Sequence, residues 1–340
     1  MRFLGIPAYY YPTTTVFVDD STDFLINFSL QLQDKLALKL FTLPQQALAF
    51  IATANSEQNW AQNNFVLAQE STGNPMTNYT VNFDVSTLQK ATNNGQRFAQ
   101  VSVAVVDYDM PGMTGIEFCR KLAEQPIKKI LLTGKGDEKL AVDAFNEGII
   151  DHFIQKGNRD VVQLVDQNVL KLQYRYFEQV TDNMRAILTK ESAPVICDPV
   201  FKEFFAKIRT ENKIVEYYLV ELPGSFLMLD ADGKASLLVV KCYEDLSIYY
   251  EFAHDNGAPT AMLDEVRSGN KIPFAWDADD YFRVHTPDAW HQQLFPAEEL
   301  EGKQIYYYAL IKNPPKMPDW VRHVVSYNQY LETQEALREI

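Results

Sequence analysis

The chain has 340 residues, 46% of them hydrophobic and 22% charged, with a formal net charge of −14. That length suggests two domains, and the longest apolar runs are too short to span a bilayer. The acidic balance argues against a protein built to neutralise nucleic-acid phosphates, and three scattered cysteines (Cys119, Cys197, Cys242) form neither a disulfide framework nor a metal-binding spacing.

The first dozen residues hold no long apolar core and do not read as a signal peptide, so a reducing cytoplasm is the expected location. A β-branched run, Thr15 to Val18, ends in two acids, Asp19 and Asp20. The spacing of Phe24, Leu25, Phe28, Leu32 and Leu36 predicts an amphipathic helix over residues 23–36. A strand over 38–41 and a helix over 44–53 follow. Residues 54–98 are rich in Asn, Gln, Ser and Thr and read as an insertion. Helices are expected there over 58–68 and 85–92, and Trp60, Phe65 and Tyr79 favour a partly ordered decoration over a disordered loop.

The apolar run 101–106 is the third strand and ends in a carboxylate, Asp107. A Met-Pro turn and a Gly-marked turn come next, then a helix over 116–123. A strand over 129–133, a helix over 138–146 closed by Gly148 and a strand over 152–156 complete the alternation. Strand–helix alternation implies a doubly wound, flavodoxin-like α/β fold with a five-stranded parallel sheet and helices on both faces. Asp107 then sits at the C-terminal end of a buried parallel strand, where such sheets place their chemistry.

Residues 159–190 contain no Pro or Gly and carry apolar residues mostly three and four apart, which predicts one long helix. Its stripe is too irregular for a coiled coil. It reads equally as a connecting helix packed on its own chain and as a dimerisation helix. The remainder predicts an α+β domain with a mostly antiparallel sheet. Helices are expected over 198–213, 247–256, 262–267 and 318–331, and strands over 214–222, 225–230, 235–241, 272–276, 282–285 and 305–311. The Asp232-Gly233 pair marks a hairpin. Residues 158–340 hold 19 Lys and Arg against 29 Asp and Glu. Lys202, Lys207, Arg209 and Lys213 form the only local basic stretch, and helical spacing reads it as a solvated face. Nucleic acid therefore stays open as a partner without support from charge.

The pattern D-x-x-M-P-x-M-x-G from Asp107 to Gly115, with two acids after the first strand and a hydroxyl and a lysine at later strand ends, resembles the receiver domain of two-component response regulators. The resemblance covers residues 14–157. It implies that Asp107 accepts a phosphoryl group from a sensor histidine kinase. It further implies that Asp20 and Asp107 bind one Mg²⁺ directly, Asp19 partly through water, and the backbone carbonyl of Asp109 completes the protein's share. Lys156 is implied to contact the phosphoryl group, Thr133 to move onto it, and Phe153 to follow as the aromatic switch. Gly157 follows Lys156 where the family usually has Pro, and Asp20 and Asp107 lie about twice the family's usual distance apart in sequence. The tyrosine-rich start, residues 148–156 and residues 226–241 further resemble the Legionella type of quorum-sensing response regulator. That resemblance implies a quorum-sensing input and control of gene expression, and a change at Thr133 and Phe153 is expected to remodel the face between the fourth and fifth strands and promote homodimerisation. The organisation expected is an N-terminal extension (1–13), the receiver (14–157), a linker helix (158–192) and an output domain (193–340).

An enzymatic output is the alternative. An acid before a hairpin followed by Val239-Val240-Lys241 resembles the restriction-like nuclease core, with Val239 in place of its second acid. Losing that carboxylate removes a metal ligand, so Asp230, Asp232 and Lys241 are the residues such a reading would need.

Overall fold

The computed structural model describes residues 5–32, 36–56, 92–134, 137–181, 195–221, 224–276, 290 and 292–336. The chain divides into two compact units, neither continuous in sequence. One takes its residues from Tyr11–Phe65, Asn94–Asp182 and Tyr327–Ile340, the other from Met1–Tyr10, Val66–Asn93 and Asn183–Ser326.

The first unit holds a five-stranded parallel sheet in the order β3-β2-β4-β5-β6, where β2 is Thr14–Val18, β3 Leu38–Phe41, β4 Val101–Asp107, β5 Lys128–Thr133 and β6 His152–Gln155. Its strands are apolar on both faces because both are covered. Val16, Val18, Ala104, Val106 and Leu131 pack on one side against α2 (Pro44–Ser56), α3 (Gly115–Lys121) and α4 (Glu138–Asn146). Phe17, Val103, Val105, Ile130 and Leu132 face the other way, onto α1 (Thr22–Ser29) and α5 (Val161–Val180). One alternating sequence thus builds two cores.

The second unit is built on a six-stranded antiparallel sheet in the order β1-β7-β8-β9-β13-β12. These strands are Tyr9–Tyr10, Ile214–Glu221, Ser225–Asp230, Ala235–Lys241, Ile305–Lys312 and Glu298–Glu301. Helix α6 (Pro199–Glu211) covers one face through Phe205, whose ring lies 4.9 Å from Tyr217 and 4.7 Å from Phe226. Helices α7 (Tyr243–Asp255) and α8 (Thr260–Arg267) cover the other, together with the two-stranded β10 (Lys271–Pro273) and β11 (Leu294–Pro296).

Several expectations need correction. The first helix stops at Ser29 rather than continuing to residue 36. Helix α7 starts four residues early because Asp245 accepts the Cys242 amide at 2.7 Å and caps it. The closing helix is two helices, α9 (Asp319–Arg322) and α10 (Tyr327–Ala336). Between them Val325 donates its amide to the Thr92 carbonyl at 3.3 Å, and a Cβ on Gly233 would meet that of Ser326 at 3.2 Å. These tertiary contacts hold the segment extended. The N-terminal strand Tyr9–Tyr10 was not foreseen and pairs with Tyr217 and Tyr218. The helix expected over 58–68, all but the last residue of the one expected over 85–92, the end of the long helix beyond 181 and the strand over 282–285 lie outside the described residues. Among the described residues, no helix is long and apolar enough to cross a membrane.

Candidate functional site

Strand register assembles the site. Strands β2 and β4 are parallel neighbours with Val18 opposite Val106, so Asp19 and Asp107 follow side by side. Strand β5 pairs with β4 with Leu132 opposite Asp107, and β6 pairs with β5 with Gln155 opposite Thr133. The Lys156 amide donates to the Thr133 carbonyl at 2.9 Å. Four strand ends therefore converge at one edge of the sheet.

Carboxylate oxygens of Asp19, Asp20 and Asp107 lie within 4.8 Å of one another. Asp19 and Asp107 are buried and Asp20 is exposed. Lys156 Nζ lies 2.6 Å from Asp19 Oδ2 and 2.7 Å from Asp107 Oδ1, and 4.6 Å from the centre of the Phe24 ring. The Ser21 amide donates to Asp19 Oδ1 at 2.9 Å, which leaves Asp19 Oδ2 to face Lys156. Burial raises the Asp107 pKa above the usual carboxylate value, and Lys156 only partly offsets it. Burial acts to lower the Lys156 pKa, but Asp107 and Asp19 outweigh it and hold the ammonium above the ordinary lysine value.

Three carboxylates against one ammonium leave two negative charges in a small volume. Hard oxygen donors at this spacing suit a Mg²⁺ ion, so the residues present fit the implied metal. Thr133 Oγ1 is fully buried and, among the described residues, has no hydrogen-bond partner. A buried unsatisfied hydroxyl costs free energy unless something pairs it in a working state. Phe153 is half-buried, its ring 6.4 Å from that of Phe145 and edge-on to it. Asp109 is exposed in the turn after β4.

That turn is tightly built. The Gly115 amide donates to the Tyr108 carbonyl at 2.8 Å, and a Cβ on Gly115 would lie 2.2 Å from the Asp107 carbonyl oxygen. Thr114 and Glu117 form a reciprocal cap on α3. Sequence reasoning missed the closeness of Gly115 to the Asp107 backbone, although the glycine closes the motif. It also took Phe24 for core alone.

The residues a nuclease-like output would need are not brought together. Asp230 and Lys241 stand at opposite ends of the β8–β9 pair, since Leu229 lies opposite Ala235, six residues before Lys241. At about 3.4 Å per residue that is roughly 20 Å. Asp230 Oδ1 accepts the amides of Asp232 and Lys234, both at 2.9 Å, which fixes the hairpin turn. Lys241 is buried and pairs with Glu221 at 2.6 Å. The basic stretch also splits. Lys207 pairs with Glu211 at 3.9 Å, and the Arg209 guanidinium lies 4.9 Å from the Tyr10 ring and 4.8 Å from that of Tyr217.

A family model described as response regulator receiver domain matches residues 72–166. The solved structure of the Legionella pneumophila response regulator LqsR is 38% identical, covers 97% of each chain and superposes with a TM-score of 0.77. The transcriptional regulatory protein FixJ of Rhizobium meliloti (strain 1021) is 42% identical over 62 residues, 18% of this chain and 30% of that protein. The cyclic di-GMP phosphodiesterase response regulator RpfG of Xanthomonas campestris pv. campestris (strain 8004) is 40% identical over 60 residues, 16% of each. The chain thus matches less than a third of either curated relative's length.

Proposed function

We propose that this chain, which belongs to the response-regulator family and matches LqsR along 97% of each chain, is a switch thrown by phosphorylation of Asp107. The observation that carries the reading is Lys156 Nζ bridging Asp19 and Asp107 at 2.6 and 2.7 Å, beside the unpaired Thr133 hydroxyl. In this reading an Asp107 carboxylate oxygen attacks the phosphorus of a phosphohistidine on a sensor histidine kinase. A P–O bond forms as the P–N bond breaks, and the imidazole leaves after gaining a proton.

Phosphoryl transfer asks the protein for positioning and charge neutralisation above all. Asp19, Asp20 and Asp107 would hold a Mg²⁺, with the Asp109 carbonyl. When bound, that ion supplies positive charge against the phosphoryl oxygens. Lys156 is already charged and aimed at Asp107, so it shifts onto a phosphoryl oxygen at little reorganisation cost. Thr133 then finds the acceptor it lacks. As Thr133 moves, Phe153 turns into the space behind it and exchanges one packing for another, a local charge event driving a bistable element.

Residues 14–157 with their insertion at 54–98 form the receiver in this reading. The helix of 158–192 passes the change on, and 193–340 with the N-terminal strand forms the output. The switched state is a homodimer, the location cytoplasmic, the input a quorum signal and the consequence altered gene expression. Light scattering on the full chain with and without beryllofluoride and Mg²⁺ tests this, because beryllofluoride mimics the phosphoryl group. A monomer-to-dimer shift, absent in Asp107→Asn, is expected. Failure of beryllofluoride to bind would overturn the role of Asp107.

A further inference from the structure

A groove of about 280 Å³ opens at the end of the antiparallel sheet remote from Lys241, where β7 and β9 begin and β8 and β13 end. Lys213, Lys234 and Lys312 line it, from three separate segments of the chain. All three are exposed, and among the described residues none has an ion-pair partner.

The two acids on the same walls are engaged elsewhere. Glu211 pairs with Lys207, and Asp230 accepts the two hairpin amides through Oδ1. Three lysines against the two acids leave the groove net positive by one charge, in a chain of net charge −14. The backbone adds a second observation. Lys213 has φ +53° just past the C-terminus of α6, a conformation that glycine adopts most cheaply. Attraction to the carbonyl end of α6 accounts for Lys213 alone, whereas Lys234 and Lys312 come from other strands.

We infer that this groove binds a small anion carrying two or more phosphates, in the manner of a nucleoside diphosphate, on Lys213, Lys234 and Lys312. Lysines suit phosphate as mobile point charges. The small site and the net acidic charge of the chain favour a compact anion over a nucleic-acid backbone, which calls for an extended basic surface. The inference is independent of the receiver chemistry.

Titration calorimetry of the full chain with pyrophosphate, in EDTA and at fixed ionic strength, tests it. The same titration on Asp107→Asn removes the receiver carboxylate from the comparison. One-site binding is expected in both proteins, weakened at least tenfold in Lys234→Gln/Lys312→Gln. Lys213→Gly should bind more weakly while melting at a higher temperature, a split that a merely structural lysine would not give. A nucleoside diphosphate binding more tightly than pyrophosphate would point to a base-bearing ligand, and equal affinities to a bare polyphosphate. Absent binding, binding unchanged in the double variant, or binding confined to single-stranded oligonucleotides with steep salt dependence would each overturn the proposal.

Discussion

Asp19, Asp20 and Asp107 face one another across 4.8 Å or less, and among the described residues Lys156 is the cation that offsets them. Like charges at this distance destabilise the fold unless a cation joins them. Asp107→Asn should therefore raise the melting temperature in EDTA, and Mg²⁺ should stabilise the wild type more than the variant, since ligand binding to the native state adds stability. Differential scanning calorimetry with and without the metal reads both effects. Lys156 carries the opposite lesson. Its folded pKa lies above the unfolded value, so its stabilising effect is complete below about pH 10.4 and is lost as pH rises through the folded value. Denaturant unfolding across the alkaline range should show that loss in the wild type. Lys156→Met should lack that component of the slope, and its absence from the wild type would contradict the ion pairs.

At the scale of elements, the loop after β4 and the last helix are the most exposed to test. Gly115 lets the start of α3 lie against the backbone of β4 at Asp107. Gly115→Ala must push Asp107 or α3 aside, so phosphoryl uptake from a small-molecule donor should fall at least tenfold while the far-UV spectrum stays that of a folded protein. Wild-type uptake in this variant would show that the contact is slack. Helix α10 packs two tyrosines on Phe98, with ring centres 5.1 and 5.4 Å away. The Ala37 amide donates to the Tyr327 hydroxyl at 3.0 Å, and the Tyr330 hydroxyl lies 3.1 Å from Thr14 Oγ1. Tyr330→Phe should cost about 1 kcal/mol, one net hydrogen bond, and Tyr327→Ala roughly 3–5 kcal/mol, as for other large aromatic truncations. Chemical denaturation distinguishes the two. Equal costs would mean that ring burial contributes little there.

For the whole molecule, the notable fact is that neither unit is a continuous stretch. The antiparallel unit takes its edge strand from Tyr9–Tyr10, and the parallel unit takes helix α10 from the far end of the chain. A fragment cut at residues 14–157 lacks Tyr327 and Tyr330, the Tyr176 hydroxyl of α5 that accepts from Gln100, and both rings of the Tyr11–Phe177 pair. It should melt well below the corresponding transition of the full chain and bind a hydrophobic dye. Adding residues 158–181 and 327–336 should restore much of the difference. A fragment as stable as the intact protein would show that these segments are dispensable.

Much of the parallel unit was legible in the sequence because β2, β4 and β5 are short apolar runs that end at a polar residue, Asp19, Asp107 or Thr133. Buried parallel strands admit little else. Asp19, Asp107, Thr133 and Lys156 could be named from that punctuation and from the motif, since a carboxylate or lysine ending an apolar run is conspicuous. The hairpin at Asp232-Gly233 was legible for the same local reason: turn chemistry is written in adjacent residues. What local signals could not carry was pairing between distant segments. The edge strand Tyr9–Tyr10 is two residues long and has no periodicity to detect. The break between α9 and α10 follows from contacts with Thr92 and Gly233 that no helical pattern encodes. Asp230 and Lys241 lie close in sequence yet stand at opposite ends of a strand pair, and Lys213, Lys234 and Lys312 lie far apart in sequence yet line one groove. The sequence by itself determined which residues are apolar, where strands end and what chemistry those ends carry. Tertiary structure alone decided which ends meet, because register and strand order are set by packing the whole sheet and not by any one segment.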